Sequence, residues 1–253
     1  MYVDPNLPRQ IFGWHSSRLG IDMPIVRYGE RGHPILLFPT AQADFLENER
    51  FWLIKAVERH ISAGKCQIFS IDSINRYAWM NPEVSVLEAA RRQAAYAAYI
   101  EEEVIPHIRL VTDDPGARVC VSGASFGAFH ATNQFFRRPD LFDTLLAMSG
   151  FYDLEPDYTK GYSDENIYFN NPSSYIPNIT DERTLHLLRN ECQIHILTGQ
   201  GRWEIPSQSQ RFSQLLWDKG IPNNLDMWGH DVDHDWPWWR KMLDHYVGGR
   251  LAW

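Results

Sequence analysis

Short apolar runs alternate with longer amphipathic segments along most of the 253-residue chain. Apolar runs of about four to eight residues bounded by Gly, Pro, Asn or Asp are typical of buried strands, whereas apolar positions spaced three and four apart are typical of helices. Strands are predicted at residues 23–29, 34–38, 66–73, 118–122, 142–150, 192–199 and 223–229. Helices are predicted at residues 47–63, 82–110, 126–138, 206–220 and 236–247. Pro106 is expected to kink or break the second of these helices.

The order of these elements predicts an α/β fold. Strands that alternate with helices of this length indicate a mostly parallel sheet with helices on both faces, and such sheets place their sites beyond the carboxyl ends of the strands. Residues 151–192 break the pattern, because they are rich in Pro, Asn, Tyr and Asp and too long for a simple connection. We expect them to form an insertion, partly helical near its end, within a single domain that spans residues 1–253.

Composition and charge narrow the classes of function. The formal net charge is −8 and no basic block is present, so nucleic acid is not an expected partner. Cys66, Cys120 and Cys192 contain no CxxC pair, which favours reduced structural thiols and a cytoplasmic setting. The first residues lack the basic and apolar segments of a signal peptide, and no run of about 18 apolar residues occurs. A soluble protein with no membrane span is therefore expected.

The segment Gly123-Ala124-Ser125-Phe126-Gly127 joins a predicted strand to a predicted helix. It matches the G-x-S-x-G nucleophile elbow, in which the serine lies on a sharp turn and the glycines allow close approach of neighbouring backbone. Three fixed positions recur by chance in roughly one chain of this length in ten, so the flanking strand and helix carry most of the argument. Ser125 is the predicted nucleophile, and the alternative is a packing turn of small residues.

A serine hydroxyl becomes a good nucleophile when an imidazole takes its proton and a carboxylate orients that imidazole. Of the six histidines after Ser125, those at positions 130, 186, 195 and 245 lie within predicted helices or strands. His230 and His234 remain, in the loop after the last strand. His234 is favoured because it directly precedes a helix capped by Asp235. The alternative is a solvated loop or a metal site, but the four-residue spacing of the histidines suits a metal only on a helix.

Two carboxylates could orient the base. Glu204 follows the strand at residues 192–199, and Asp153 follows the strand before it. Glu204 is preferred, because it lies 79 residues after Ser125 and 30 before His234, the order expected if the acid and the base come from the ends of the last two strands. Either residue could instead be a solvated loop charge or a helix cap.

Three segments resemble the putative-esterase branch of the α/β-hydrolases, namely "GASFGAFHATNQFFRRPDLFDTLLAMSG", "LTGQGRWE" and "HDWPWWRKML". That branch includes esterase D-like enzymes, enterochelin esterases and mycobacterial mycolyltransferases, and the resemblance spans about residues 20–248. It implies an α/β-hydrolase fold with Ser125 as nucleophile, Glu204 as acid and His234 as base.

The resemblance also implies an oxyanion hole with two backbone donors. One is the amide of Phe126, and the other is an amide in the loop after the strand at residues 34–38, assigned to Thr40 with Ala41 as the alternative. Many members of this branch carry His-Gly or Asp-Gly where this chain has Phe38-Pro39. Proline has no amide hydrogen, so the second donor must come later in the loop.

These observations predict a serine hydrolase that cleaves small-molecule carboxylic esters through an acyl-enzyme, without a metal or an organic cofactor. The alternatives are an acyltransferase that uses the same three residues, and a non-catalytic module of the same fold that binds a ligand. Trp79, Trp203 and Trp236 are candidate substrate contacts, although a tryptophan at such a position more often belongs to the core. The sequence predicts neither the acyl group nor the oligomeric state.

Overall fold

Eight strands form one sheet in the computed structural model, which describes residues 3–251. The strands are β1 (Arg9–His15), β2 (Asp22–Tyr28), β3 (His33–Phe38), β4 (Cys66–Ile71), β5 (Val119–Ala124), β6 (Phe142–Met148), β7 (Gln193–Thr198) and β8 (Asn224–Met227). Their order in the sheet is β1-β2-β4-β3-β5-β6-β7-β8. β2 pairs antiparallel with both β1 and β4, and all other neighbours are parallel. The predicted mostly parallel α/β sheet is therefore confirmed.

Helices cover both faces of this sheet. They are α1 (Glu47–Arg50), α2 (Leu53–Ser62), α3 (Val86–Tyr99), α4 (Ile105–Val111), α5 (Phe126–Arg137), α6 (Glu165–Tyr168), α7 (Pro172–Tyr175), α8 (Glu182–Asn190), α9 (Pro206–Asp218) and α10 (Trp236–Gly249). Side chains alternate across a strand. Val119 and Val121 of β5 accordingly pack in the core cluster on the face covered by α3, α5 and α9, and Cys120 packs in the cluster under α2 and α10.

The edge strand β1 was not predicted from the sequence. Its residues are mostly exposed, and it pairs only with β2, from Arg9 opposite Tyr28 to His15 opposite Asp22. A strand that is solvated on its faces and paired on one side needs no apolar run, so its sequence carries little of the signal on which the prediction relies.

The long predicted helix around Pro106 does not break. A π-helical turn (Ile100–Val104) connects α3 to α4, and the amide of Ile105 donates to the carbonyl of Ile100 across this wider turn. Proline inside an α-helix removes one hydrogen bond and its ring clashes with the carbonyl four residues earlier. Here that carbonyl belongs to Glu102, within the π-turn, and the widened turn accommodates the proline without ending the helix.

Residues 151–192 form the predicted insertion between β6 and β7. A π-helical turn (Glu155–Thr159), α6, α7, a short 3-10 helix (Ile176–Asn178) and α8 account for most of it. α8 begins at a cap in which the Asp181 carboxylate accepts from the amide of Thr184. Within residues 3–251, no helix combines the length and the apolar character that crossing a membrane requires.

The chain reverses its direction of travel across the sheet at β3. From β3 it continues to β4 on one side, and β5 then lies on the other side of β3. Loops that leave the carboxyl ends of two such strands diverge and open a crevice, which is where ligands bind in open α/β sheets. The loop after β3 and the turn after β5 meet at this crevice.

Candidate active site

Ser125 lies on a strained turn between β5 and α5. Its backbone has φ 56° and ψ −121°, and its amide donates to the carbonyl of Met148 at 3.0 Å. A Cβ atom on Gly123 would lie 2.4 Å from the carbonyl carbon of Gly127, and one on Gly127 would lie 2.6 Å from the carbonyl oxygen of Pro39. Both glycines are therefore required by close backbone approach, as the elbow motif predicts. The strained turn exposes the serine at the carboxyl edge of the sheet.

His234 and Glu204 come together from the last two loops at this edge. The Nδ1 atom of His234 lies 3.5 Å from Oε2 of Glu204, and the two side chains are 25% and 2% exposed. This separation is longer than a well-formed hydrogen bond, and Nδ1 has no other partner within residues 3–251. Such contacts are often long in an unliganded enzyme and shorten when substrate binds. The arrangement fits an imidazole that is oriented by a buried carboxylate.

The loops that carry the acid and the base are tied to each other. The amide of Arg202 donates to Oδ1 of Asp233 at 2.7 Å, and its guanidinium donates to Oδ2 at 3.0 Å. The amide of His234 donates to the carbonyl of Arg202 at 2.9 Å. The Arg202 amide, together with the guanidinium, holds the pKa of Asp233 below its ordinary value. These bonds fix the loop that carries Glu204 relative to the loop that carries His234.

The sequence did not single out the two hydroxyl groups that lie against the Glu204 carboxylate, nor the tryptophan that bonds to one of them. The Ser149 hydroxyl donates to Oε1 at 2.5 Å, and the Thr198 hydroxyl lies 3.3 Å from Oε2. The indole N–H of Trp239 donates to Oγ of Ser149 at 3.0 Å. A serine at the end of β6 and a tryptophan in a tryptophan-rich helix are ordinary sequence features, and only the tertiary contacts distinguish these two residues.

A cavity of about 200 Å³ contains the three predicted catalytic residues. It is lined by Ser125, Ser149, Gly150, Phe151, Asp157, Tyr158, Trp203, Glu204, Ile205, Gln208 and His234. Phe151, Asp157 and Tyr158 belong to the insertion, which forms one wall as predicted. A larger groove of about 720 Å³ along α2 and α10 contains none of the predicted site residues.

The three candidate tryptophans occupy different positions. Trp203 lines the cavity, is 84% exposed and has a positive φ of 66°. Trp79 packs beside the cluster around Phe126 and donates from its indole nitrogen to Gln93 at 3.1 Å. Trp236 stacks on Phe51 with ring centroids 4.6 Å apart. Neither Trp79 nor Trp236 lines the cavity, so Trp203 is the tryptophan best placed to contact a substrate.

Thr40, the predicted second oxyanion donor, uses its amide in another hydrogen bond. Its amide donates to Oε2 of Glu47 at 2.7 Å and its hydroxyl donates to the same carboxylate, so this N–H is already engaged. Glu47 is 8% exposed, and burial raises the pKa of its carboxyl group. Ala41, the alternative, packs against the cluster that contains Phe126, and its amide has no acceptor within the described part of the chain. Phe126 itself is the first residue of α5, where an amide lacks an intrahelical acceptor.

The alternative acid, Asp153, and the histidines at positions 230 and 130 lie outside the cavity around Ser125. The Asp153 carboxylate accepts from the side chain of Asn171 at 2.7 Å and from the amide of Glu155, and it does not line the cavity around Ser125. His230 is exposed and outside the same cavity. Burial lowers the pKa of His130 to about 3, so this histidine is a neutral core residue at ordinary pH. These positions leave Glu204 and His234 as the pair beside Ser125.

The described residues offer neither a metal-binding cluster nor an activated thiol. No group of three His, Cys, Asp or Glu side chains suited to a metal ion occurs within residues 3–251. Cys66, Cys120 and Cys192 are all free, and burial raises the pKa of the Cys66 thiol to about 12. Buried thiols with raised pKa values are structural rather than nucleophilic.

The sheet order, the helices on both faces and the serine on its strained elbow define an α/β-hydrolase. The sequence profile of the family described as "Putative esterase" matches residues 67–249, well over half of the chain. The chain belongs to this family and is a carboxylic ester hydrolase. No curated protein matches it by sequence.

Solved structures support the fold. A ferulic acid esterase is similar with a TM-score of 0.73 and 18% identity, over 95% of this chain and 96% of the other. The S-formylglutathione hydrolase of Staphylococcus aureus is similar with a TM-score of 0.69 and 13% identity, over 96% of both chains. A fluorophosphonate-binding serine hydrolase of Staphylococcus aureus is similar with a TM-score of 0.71 and 14% identity, over 96% of this chain and 97% of the other. At these identities the likeness establishes the α/β-hydrolase fold.

Proposed function

We propose that this carboxylic ester hydrolase works through an acyl-enzyme, with Ser125 as nucleophile, His234 as general base and Glu204 as the carboxylate that orients the imidazole. The observation that carries the proposal is the cavity that Ser125, His234 and Glu204 line together, with Glu204 Oε2 3.5 Å from His234 Nδ1. No other histidine lines this cavity.

The proposed reaction has two half-reactions. Ser125 Oγ attacks the ester carbonyl while His234 takes the hydroxyl proton, and the buried Glu204 stabilises the imidazolium that forms. The tetrahedral intermediate collapses, the C–O bond to the alcohol breaks, and His234 gives its proton to the leaving oxygen. Water then attacks the acyl-enzyme with His234 again as base, which releases the acid and restores the serine.

The oxyanion of the tetrahedral intermediate needs donors that are already oriented. We infer that they are the amides of Phe126 and Ala41, because the amide of Thr40 is engaged by Glu47. A single well-aimed donor is worth about 3 kcal/mol, or roughly a factor of 10²–10³ in rate. The contact between Thr40 and Glu47 fixes the loop immediately before Ala41, which is the condition for such alignment.

The size of the cavity favours a small-molecule ester with a compact acyl group. About 200 Å³ is below the range of roughly 300–1,000 Å³ typical of sites that enclose a drug-sized ligand. A larger leaving group would therefore extend over the exposed rim, where the Trp203 ring and Ile205, itself 56% exposed, provide apolar surface. Esters of a short or single-ring acid with a larger alcohol are the substrates to test first.

The decisive experiment labels the protein with a fluorophosphonate and locates the adduct by peptide mass spectrometry. Ser125→Ala and His234→Ala are expected to abolish labelling and the turnover of p-nitrophenyl acetate. Ser122→Ala is the matched control, because Ser122 is a buried serine on the same strand whose hydroxyl bonds to the carbonyl of Leu146. Wild-type protein that takes no label would overturn the proposal and favour a binding module.

Two further comparisons use the same assay. Glu204→Gln is expected to lower kcat by about 10³–10⁴, by analogy with neutralising the acid of a Ser-His-Asp triad, whereas Asp153→Asn is expected to leave kcat unchanged. Adding an alcohol acceptor separates hydrolysis from acyl transfer. An esterase forms mainly free acid under these conditions, and an acyltransferase forms mainly the new ester.

A further inference from the structure

Two hydroxyl groups lie near the Glu204 carboxylate, and only that of Ser149 has no competing acceptor among the described residues. The Thr198 hydroxyl lies 3.3 Å from Oε2 but also lies 3.0 Å from the carbonyl of Gly199, and a hydroxyl has a single proton to donate. Ser149, whose hydroxyl lies 2.5 Å from Oε1, is therefore the principal side-chain donor to the acid. It is 5% exposed, so water does not readily replace it.

Trp239 determines which way the Ser149 hydroxyl points. An indole N–H can only donate, so the 3.0 Å contact between Nε1 of Trp239 and Oγ of Ser149 makes the serine oxygen an acceptor. The serine proton is then left for Glu204. Ser149 is held in place by its backbone, which has a positive φ of 51° and an amide that donates to the carbonyl of Leu197 at 2.7 Å. The direction of the whole relay is fixed from the indole to the carboxylate.

The same indole also contacts the base. The rings of Trp239 and His234 are nearly perpendicular, at 87°, with centroids 5.0 Å apart, an edge-to-face arrangement. Trp239 is 4% exposed and is held by α10, whose cap at Asp235 directly follows His234. One buried side chain therefore contacts the base directly and the acid through Ser149.

We propose that Trp239 is a positioning residue that aligns Glu204 through Ser149 and aligns His234 by direct packing. This role rests on the proposed function of the site. Trp239 itself is placed outside the cavity that holds the substrate, so it acts on the efficiency of proton transfer and not on substrate binding. Its loss should therefore lower kcat and leave KM nearly unchanged.

The test is a double-mutant cycle of Trp239→Phe and Ser149→Ala. Trp239→Phe keeps an aromatic ring and removes the indole donor, and we expect kcat to fall about tenfold with KM within about twofold. Ser149→Ala should lower kcat by at least as much. Because the indole N–H acts through Ser149, the double variant should resemble Ser149→Ala alone, which a merely additive structural loss would not do.

Trp14→Phe is the matched control. Its indole nitrogen also donates to a partner side chain, the carboxylate of Glu103 at 2.7 Å, but it lies on the edge strand β1. This variant should keep wild-type kcat, and each Tm is measured to separate unfolding from misalignment. In the phosphonylated enzyme, Trp239→Phe should also shift the downfield proton resonance of the His234 ring N–H, and Trp14→Phe should not.

The outcomes separate this proposal from the one it rests on. If wild type takes the fluorophosphonate label, two results overturn only the role proposed for Trp239. One is a Trp239→Phe enzyme that is as active as Trp14→Phe. The other is a double variant in which the effects of Trp239→Phe and Ser149→Ala on kcat multiply. Absence of label in wild type overturns both. If Trp239→Phe does not fold, Ser149→Ala decides: unchanged kcat in that variant shows that the relay to Glu204 has no role.

Discussion

Substituting Gly127 with alanine tests whether the elbow and the loop after β3, which carries Thr40 and Ala41, form one rigid unit. A methyl carbon at this position would lie 2.6 Å from the carbonyl oxygen of Pro39 and 2.8 Å from that of Phe38. Both obstacles are backbone atoms, so no side-chain rotation relieves them. An ordinary carbon–oxygen contact is about 3.3 Å or longer, and the loop after β3 must therefore move by about 0.7 Å or the helix α5 must tilt.

The size of the effect follows from that displacement. Forcing an extra methyl group into a packed site costs about 1–3 kcal/mol, and each kcal/mol lowers Tm by roughly 2–4 °C in a chain of this size. A misplacement of about 1 Å can cost a factor of roughly 10² in rate, and complete loss of an oxyanion donor costs roughly 10²–10³. We therefore expect Gly127→Ala to lower kcat by about 50-fold while most of the protein remains folded at 25 °C.

The assay is steady-state hydrolysis of p-nitrophenyl acetate beside a thermal melt. Gly116→Ala is the control, because a Cβ atom there meets only the Asp114 carboxylate at an ordinary 3.6 Å and φ is not positive. That variant should keep wild-type kcat and Tm. A Gly127→Ala enzyme that folds with a wild-type Tm and retains kcat within about threefold would refute the close contact and the link between the two loops.

Three further predictions address neighbouring features. Glu47→Ala should lower kcat about tenfold because the amide of Thr40 loses its acceptor, and Glu47→Gln, which keeps a carbonyl oxygen, should retain most of it. Burial lowers the pKa of His130 from its ordinary 6.5 to about 3, so between these pH values only the unfolded state binds the proton. Stability should therefore fall as pH decreases through this window, by up to about 1.4 kcal/mol per pH unit, and His130→Gln should weaken that dependence in thermal melts. Trp203→Ala should raise KM for an acetate ester of an aromatic alcohol about two- to tenfold, with little change for methyl acetate, because the leaving alcohol extends over Trp203 and a stacked ring is worth about 0.5–1.5 kcal/mol.

Each of these has a contrary result. Equal losses in Glu47→Ala and Glu47→Gln would show that charge, and not the hydrogen bond, is what the loop needs. A His130→Gln protein whose Tm falls with pH as steeply as that of wild type would assign the acid sensitivity to other groups. Trp217→Ala is the control for Trp203, because Trp217 is 52% exposed on α9 and outside the cavity. Equal KM changes in both variants would remove the special role of Trp203.

The sequence predicted where strands β2 to β8 lie along the chain, because buried strands need apolar runs whatever surrounds them. It also identified the elbow, because the G-x-S-x-G pattern and the strand and helix on either side of it can be recognised over a short stretch of chain. The edge strand β1 and the unbroken helix at Pro106 were missed for the opposite reason. A solvated edge needs no apolar run, and a π-turn depends on hydrogen bonds that leave no pattern of residue types.

By itself, then, the sequence determined the fold class, the serine on the elbow, and a short set of acids and bases that could serve it. Only the tertiary structure decided which of them meet. It brings Glu204 to within 3.5 Å of His234, engages the amide of Thr40 with Glu47, and joins Trp239 to Ser149 across 90 residues of chain. The physical reason is that strand and turn preferences act over a few residues, whereas contacts between loops depend on the register and packing of the whole sheet.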